Sequence, residues 1–189
     1  MDFNVRRATP DDTDTIRYLV KTNNIINPRL NASTGFLVYD TSIEQIKSCD
    51  FPYVAEALGG ITGFLLVYTP EADRRTFGST FEEIWKDAIN GNFEPNWLHA
   101  HQIATKADYT GRGVRKMLWE MAERQARENG FERFYAEMCL VSPNNRSLSI
   151  HETEGWKPLG ERIQTNAYVD LEGQRKAVKW GLYTKEFHH

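Results

Sequence analysis

Residues 104–121, ATKADYTGRGVRKMLWEM, connect a predicted strand to the clearest predicted helix of the chain. The strand is predicted over Trp97–Thr105. The helix is predicted over about Gly113–Asn129, because its apolar residues recur at i, i+3, i+4, i+7, i+8 and i+12. A helix N-terminus carries N–H groups without partners and a partial positive charge, which favour an anion such as a pyrophosphate. Gly111 and Gly113 would let that group approach the backbone closely. The alternative is a strand-to-helix turn whose glycines serve its geometry alone, since neither a P-loop nor a dinucleotide-binding glycine pattern is present.

Strands and helices alternate along the rest of the sequence. Thr9, Pro10 and Asp12 resemble a capping box at the start of a first helix, and Gly59-Gly60 is typical of a hairpin turn. The predicted order is β-α-(α)-ββ-α-β-α-β-α-ββ. Hairpins combined with helical crossovers predict an α/β (α+β) fold in which helices flank a mixed central β-sheet. The remaining strands are predicted at Phe3–Arg7, Tyr53–Leu58, Ile61–Tyr68, Arg133–Val141, about Arg162–Asp170 and Lys176–Tyr183, and the remaining helices at Ser42–Ser48, Phe81–Asn90 and about Pro143–Thr153.

The composition is that of an ordinary globular protein, and it excludes several classes of function. The 189 residues include 23 Lys and Arg against 26 Asp and Glu, with no basic block, so we expect no nucleic-acid partner. Two cysteines are too few for a disulfide framework, which favours the reducing cytoplasm. The apolar runs are far shorter than the roughly 20 residues that span a bilayer, so we expect no membrane association. We expect one domain over residues 1–187. His188 and His189 are interpreted as the remnant of a purification tag.

The glycine turn also carries a family resemblance. The hexad TGRGVR, residues 110–115, resembles the R/Q-x-x-G-x-G/A signature of the GCN5-related N-acetyltransferases, the GNAT superfamily. Gly113 matches the central glycine of that signature, and Gly111 is common in the family. Thr110 stands where Arg or Gln is usual, and Arg115 stands where Gly or Ala is usual. Both departures leave backbone hydrogen bonding available.

A second segment agrees with the first. Family members often show N-x-x-A/S-x-x-L/F-Y-x-x-x-G-F after the fifth strand, and residues 144–156 fit that spacing without a gap. The opening VRRATPDDTDTI, residues 5–16, also resembles the family's first strand and helix. The resemblance is therefore specific over about residues 97–156 and topological elsewhere. The positions that match the second pattern are Asn144, Ser147, Ile150, His151, Gly155 and Trp156.

The resemblance implies that an acetyl group passes from acetyl-CoA to an amine. The turn would hold the pyrophosphate through its backbone, and the Arg115 side chain would either reach a phosphate or lie in solvent. The peptide-like pantetheine arm would pair with the open edge of the fourth strand, where a backbone N–H would also stabilise the thioester oxygen. Asn144 would both cap the following helix and hydrogen-bond the cofactor arm. The implied cofactor-binding residues are Ile103, Ala104, Thr105, Tyr109, Thr110, Gly111, Arg112, Gly113, Val114, Arg115, Asn144 and Ser147.

The catalytic candidates are three histidines within these two segments. His151 occupies the position of the family's usual tyrosine, so the resemblance implies that it protonates the departing thiolate; a structural helix histidine is the alternative. His99 and His101 form H-x-H on the fourth strand, and strand alternation puts both on one face unless a β-bulge intervenes. The pattern resembles arylalkylamine N-acetyltransferases, in which such a pair helps to deprotonate the amine. Two half-buried strand residues are the alternative. No third ligand at metal-like spacing is visible, so we expect no metal site.

The leading hypothesis is an acetyl-CoA-dependent N-acetyltransferase whose acceptor is the amine of a small molecule, which attacks the thioester directly. The slight acidity of the chain favours a cationic amine. The alternatives are acetylation of a peptide or protein, and a non-catalytic acyl-CoA-binding module, which the departures at Thr110 and Arg115 would suit. The aromatic-rich insertion Thr69–Asn96 would either line the acceptor site or only pack. We leave a homodimer open as the oligomeric state.

Overall fold

Seven strands form one sheet in the order β1-β2-β3-β4-β5-β7-β6. The computed structural model describes residues 2–26, 37–89, 93–140 and 153–187. All neighbouring strands are antiparallel except β4 and β5, which are parallel and joined by the crossover helix α5. The predicted mixed sheet is therefore confirmed. The strands are β1 Asn4–Arg7, β2 Phe51–Ala57, β3 Gly60–Tyr68, β4 Trp97–Thr105, β5 Arg133–Cys139, β6 Lys157–Val169 and β7 Arg175–Glu186.

Helices cover both faces of the sheet. On one face α5 buries Leu118, Ala122 and Ala126, which recur with the helical period that predicted this helix. On the other face, the remaining helices cover two further apolar clusters. None of the described helices is long and apolar enough to cross a membrane. The helices are α1 Thr13–Thr22, α2 Ile43–Lys47, α3 Pro70–Phe77, α4 Phe81–Trp85 and α5 Val114–Glu128.

Two helices differ from the sequence-based expectation. Helix α3 was not predicted, although Thr69 caps its start by accepting a hydrogen bond from Ala72 N at 3.1 Å, and Gly78 ends it with a positive φ of 80°. The helix predicted over Phe81–Asn90 ends at Trp85, and the chain forms a turn directly after it. Phe81 and Trp85 are both buried. Pro70 together with Gly78 is the sequence signal that marks α3.

Strand β4 matches its predicted bounds but carries a bulge. Gln102 is opposite Leu66, whereas the next pair joins Ala100 to Val67, so His101 is the extra residue. The bulge places the side chains of His101 and Gln102 next to each other, and both contact Thr41. This local irregularity positions the groups described next.

Candidate active site

The sheet opens between β4 and β5. These strands pair only where Trp97–His99 run beside Arg133–Tyr135, although β4 continues to Thr105 and β5 to Cys139. Along residues 100–105, no strand of the described chain pairs with the side of β4 that faces β5. The predicted cofactor residues Ile103, Ala104 and Thr105 lie on this open edge. The edge therefore offers backbone donors and acceptors to a peptide-like group.

The predicted phosphate-binding turn follows the open edge directly. A 3₁₀ turn covers Ala107–Tyr109, and Gly111 and Gly113 both have positive φ values, 79° and 83°. Residues 111–113 are exposed, and Gly113 immediately precedes α5. The first turn of α5 therefore meets solvent with N–H groups that no intrahelical carbonyl can satisfy. This arrangement favours a diphosphate.

The close approach of this turn to the sheet depends on Gly63 in β3. A Cβ atom at Gly63 would lie 2.9 Å from both Ala104 O and Val114 Cγ1, which is too close for any real Cβ. Gly63 thus allows the start of α5 to rest on β3 and β4. The sequence analysis missed this residue, because a glycine inside a predicted strand carries no sign of what lies above it.

The Arg115 side chain does not lie free in solvent, and its contact with a phosphate stays a prediction. Its side chain is 21% exposed, and Arg115 Nη2 forms an ion pair with Glu154 Oε2 at 3.2 Å. Burial lowers its pKa while the Glu154 carboxylate opposes that shift. The side chain therefore ties the first turn of α5 to the residues that precede β6.

The two β4 histidines lie on the same face, with ring centroids 5.3 Å apart. His99 is 5% exposed, and its Nδ1 donates to Asp73 Oδ1 across 2.9 Å. Asp73 is itself 1% exposed and also accepts from Phe81 N. Among the described residues, His99 Nε2 is buried and has no hydrogen-bond partner. His99 is therefore held by a buried carboxylate that the sequence analysis did not identify.

His101 is only partly buried and has different partners. Its Nε2 lies 3.2 Å from Thr41 Oγ1, and Thr41 Oγ1 is also 2.8 Å from Gln102 Oε1. Burial, together with the neighbouring His99, lowers the pKa of His101 well below its usual range. His101 is therefore a neutral imidazole at physiological pH, as a proton acceptor must be.

Aromatic rings surround His101. Tyr39 stacks between His101 and Trp180, at centroid distances of 5.9 Å and 5.1 Å, and Phe77 lies 4.9 Å from His101. Tyr68 approaches edge-on at 5.5 Å. Within the aromatic-rich insertion, therefore, Phe77 reaches the histidine pair. Phe81 stacks on His99, whereas Trp85 and Phe93 belong to the core.

A polar group continues this face toward β6. Glu137 Oε2 accepts from Trp85 Nε1 at 3.2 Å and from Arg162 Nη2 at 2.9 Å. Tyr39 Oη donates to Gln164 Oε1 at 3.0 Å. The sequence analysis named none of these polar residues, because they come together only through the β5-β7-β6 strand order.

His151, Asn144 and Ser147 lie outside the described residues, so their roles stay predictions. Within the described ranges, no three His, Cys, Asp or Glu side chains are grouped closely enough to hold a metal ion.

Sequence and structure comparisons place this site in a known family. Residues 25–156, more than half of the chain, match the Acetyltransferase (GNAT) family. This chain is a GNAT-family acetyltransferase. Its reaction draws the acetyl group from acetyl-CoA, and the residues present fit that co-substrate. The exposed turn before α5 suits the diphosphate, and the open β4 edge suits the pantetheine amides.

Solved structures share the fold at low sequence identity. The ribosomal-protein-S18-alanine N-acetyltransferase from Escherichia coli has a TM-score of 0.64 at 11% identity, covering 98% of this chain and 94% of that one. An N-acetyltransferase from Staphylococcus aureus Mu50 has a TM-score of 0.62 at 16% identity, covering 98% and 99%. A Salmonella typhimurium protein solved with its cofactor acetyl-CoA has a TM-score of 0.62 at 13% identity, covering 100% and 96%. No curated protein matches the sequence.

Proposed function

We propose that this acetyltransferase acetylates the amine of a small molecule by direct attack of the amine on the acetyl-CoA thioester. One observation carries the proposal. The open edge of β4, the exposed turn before α5 and the histidine pair follow one another along a single stretch of chain, residues 99–115. That order supports a thioester donor site beside a candidate base.

The donor would be held mostly by backbone groups. The N–H groups of Tyr109, Thr110 and Arg112 already donate within the turn. The N–H groups of Gly111 and of the first residues of α5 would bind the diphosphate, so the side chains at Thr110 and Arg115 need not match the family pattern. The edge at Ile103–Thr105 would pair with the pantetheine amides and donate one N–H to the carbonyl oxygen, which becomes negatively charged in the tetrahedral intermediate. Asn144 and Ser147 would add contacts to the cofactor arm.

Acetyl transfer requires two proton movements. The amine nitrogen forms the new bond to the carbonyl carbon, the C–S bond breaks, and the nitrogen loses one proton while the sulfur gains one. His101 is the first candidate for the proton acceptor, because it is neutral and partly exposed. His99 is buried and would act through His101. His151 would give a proton to the sulfur.

The surroundings of His101 favour a small acceptor. Tyr39, Tyr68 and Phe77 come from three separate parts of the chain, and each places its ring centroid within 5.9 Å of the His101 ring. Aromatic rings on several sides of the candidate base support a small, partly apolar amine as the acceptor.

A steady-state assay tests this function. Thiol release from acetyl-CoA is measured with a panel of small amines and with peptides, for wild type and His101→Gln. The variant keeps an N–H that can reach Thr41 but lacks a basic lone pair, so we expect kcat to fall by about 10²-fold while acetyl-CoA still binds. Faster turnover of peptides than of any small amine would contradict the substrate class. Binding of acetyl-CoA without turnover of any amine would support the non-catalytic module instead.

A further inference from the structure

We propose that Thr41 and Gln102 are positioning residues that hold His101 in its Nε2–H tautomer, so that Nδ1 carries the basic lone pair. The tautomer follows from the hydrogen-bond network alone. Its catalytic consequence rests on the proposed function, in which His101 accepts the amine proton.

The argument begins at the carbonyl oxygen of Tyr39, which can only accept hydrogen bonds. Gln102 Nε2 lies 2.8 Å from Tyr39 O, so the amide NH₂ group of Gln102 must face that carbonyl. The amide oxygen, Oε1, then faces Thr41 Oγ1 across 2.8 Å. An amide oxygen cannot donate, so Thr41 must use its one hydroxyl hydrogen there.

The third contact in this network sets the imidazole. Thr41 Oγ1 is also 3.2 Å from His101 Nε2, and with its hydrogen already committed to Gln102 it can only accept. Nε2 must therefore be the protonated nitrogen. Because the lowered pKa keeps the ring neutral, Nδ1 carries no hydrogen and presents its lone pair. His101 Nδ1 has no hydrogen-bond partner among the described residues. It is also not one of the polar atoms that are both buried and without a partner, so Nδ1 is not fully enclosed.

The neighbouring histidine carries a hydrogen on the other ring nitrogen. His99 Nδ1 faces the Asp73 carboxylate at 2.9 Å, and because a carboxylate accepts, Nδ1 is the nitrogen that carries the hydrogen. The two imidazoles thus differ in the nitrogen that their partners require to carry a hydrogen, which is Nδ1 in His99 and Nε2 in His101. This contrast gives an internal reference for spectroscopy.

The segment that carries Thr41 is itself fixed in place. Arg17 Nη1 donates to Thr41 O at 2.8 Å, and Ile25 N and Leu37 N form backbone hydrogen bonds of 2.7 Å that tie this segment to the end of α1. The bulge in β4 positions His101 and Gln102, the other members of the network, because only at the bulge do two consecutive side chains of β4 face the same side of the sheet.

Nitrogen-15 NMR of histidine-labelled protein reads the tautomers directly through two-bond correlations to the ring hydrogens. At pH 7.5 we expect the Nε2–H form for His101 and a hydrogen on Nδ1 of His99. Thr41→Val removes the acceptor at similar volume, and Gln102→Met frees the hydroxyl hydrogen to point at His101. Gln102→Met should raise the Nδ1–H population of His101 to at least half, because the freed hydroxyl hydrogen donates to Nε2. Thr41→Val should raise it by less, because a neutral imidazole without partners still favours Nε2–H, and Thr41→Ser should keep the wild-type pattern.

Activity gives the second measurement. With an amine that wild type acetylates, Thr41→Val should lower kcat by about tenfold or more and leave the KM for acetyl-CoA unchanged, and Thr41→Ser should recover most of the loss. An Nδ1–H tautomer in wild type, or unchanged tautomers in both Thr41→Val and Gln102→Met, would overturn the proposal. Expected tautomers combined with normal turnover of His101→Gln would instead overturn the role of His101 in the proposed function and leave the network intact.

Discussion

At the scale of single residues, burial decides which groups can take part in proton transfer. His101 keeps contact with solvent yet stays neutral, because burial and His99 disfavour its charged form. His99 and Asp73 are almost completely enclosed, so neither side chain can contact a substrate directly. The same contrast has consequences for stability that can be measured without any substrate.

The lowered pKa of His101 predicts acid sensitivity. In the unfolded chain this imidazole titrates near 6.5, whereas in the folded chain it titrates below that value, so the unfolded state binds more protons between the two pKa values. The stabilisation that depends on a neutral His101 is complete above pH 6.5. It is lost as the pH falls from 6.5 through the lower folded pKa, at no more than about 1.4 kcal/mol per pH unit for one proton. Urea unfolding of wild type and His101→Gln between pH 7.5 and 5 measures it. A variant whose stability falls as steeply as that of wild type would contradict the assignment.

Asp12 carries the second pH-dependent contribution. Arg6 donates to both of its carboxylate oxygens, at 2.7 Å and 2.9 Å, and Thr9 N donates at 2.7 Å, which lowers the pKa of Asp12 to about 2. Its stabilisation is complete above its ordinary pKa and is lost as the pH falls through about 2. We expect Asp12→Asn to lose about 1–3 kcal/mol of unfolding free energy at pH 7. The exposed Asp11→Asn is the matched control, and equal losses in the two variants would refute this role.

At the scale of elements, the turn between β4 and α5 depends on glycine in a backbone conformation that other residues adopt only with strain. Gly113 and Gly130 bracket α5, both with positive φ values, 83° and 79°, and both with free space where a Cβ would go. Alanine at either position should therefore meet the same backbone penalty, about 1–3 kcal/mol. Only Gly113 belongs to the proposed diphosphate turn.

This pair of glycines gives a controlled test of the turn. We expect Gly113→Ala to raise the KM for acetyl-CoA by about tenfold beyond any loss of stability, because strain in the turn redirects N–H groups that should face the diphosphate. Gly130→Ala should lose similar stability and keep the wild-type KM. The measurement is initial-rate kinetics together with thermal unfolding. If both variants shift KM equally, the turn has no special role in binding the donor.

How much of each element could be predicted depends on how local its signal is. The bounds of β4 were predicted without error, and those of α5 within one residue at each end, because alternation and the 3.6-residue period are properties of the element alone. Helix α3 was missed because Ala72 and Phe77 give it too few apolar residues for a period. Thr41 and Gln102 could not be paired from sequence, because their contact depends on a one-residue bulge and joins positions 61 residues apart.

At the scale of the whole molecule, the open edge between β4 and β5 is the weakest part of an otherwise continuous sheet. Every other pair of neighbouring strands shares four or more residue pairs, whereas β4 and β5 share only three. A donor that pairs with β4 would complete the missing ladder. Binding of the donor should therefore stabilise this region more than the rest of the sheet.

Hydrogen exchange measures that coupling. In the free protein we expect the backbone amides of residues 100–105 that face β5 to exchange faster than amides in β3, because no strand in the described ranges protects them. Saturating coenzyme A should slow their exchange by at least about tenfold and leave Asn4–Arg7 in β1 unchanged. Equal protection of both regions, or none in β4, would argue against donor binding at this edge.

The bulge at His101 interrupts the regular pairing of β4 and also supplies the proposed proton acceptor. Removing that one residue would let β4 pair with β3 in unbroken register and restore strict alternation of its side chains from Trp97 to Thr105. The shortened strand would pair more regularly, yet it would lack the His101 imidazole that lies beside Gln102. Selection for thermal resistance alone would therefore favour a deletion that selection for turnover would reject under the proposed role of His101. Libraries of this chain sorted first for stability and then for acetylation should diverge at this position.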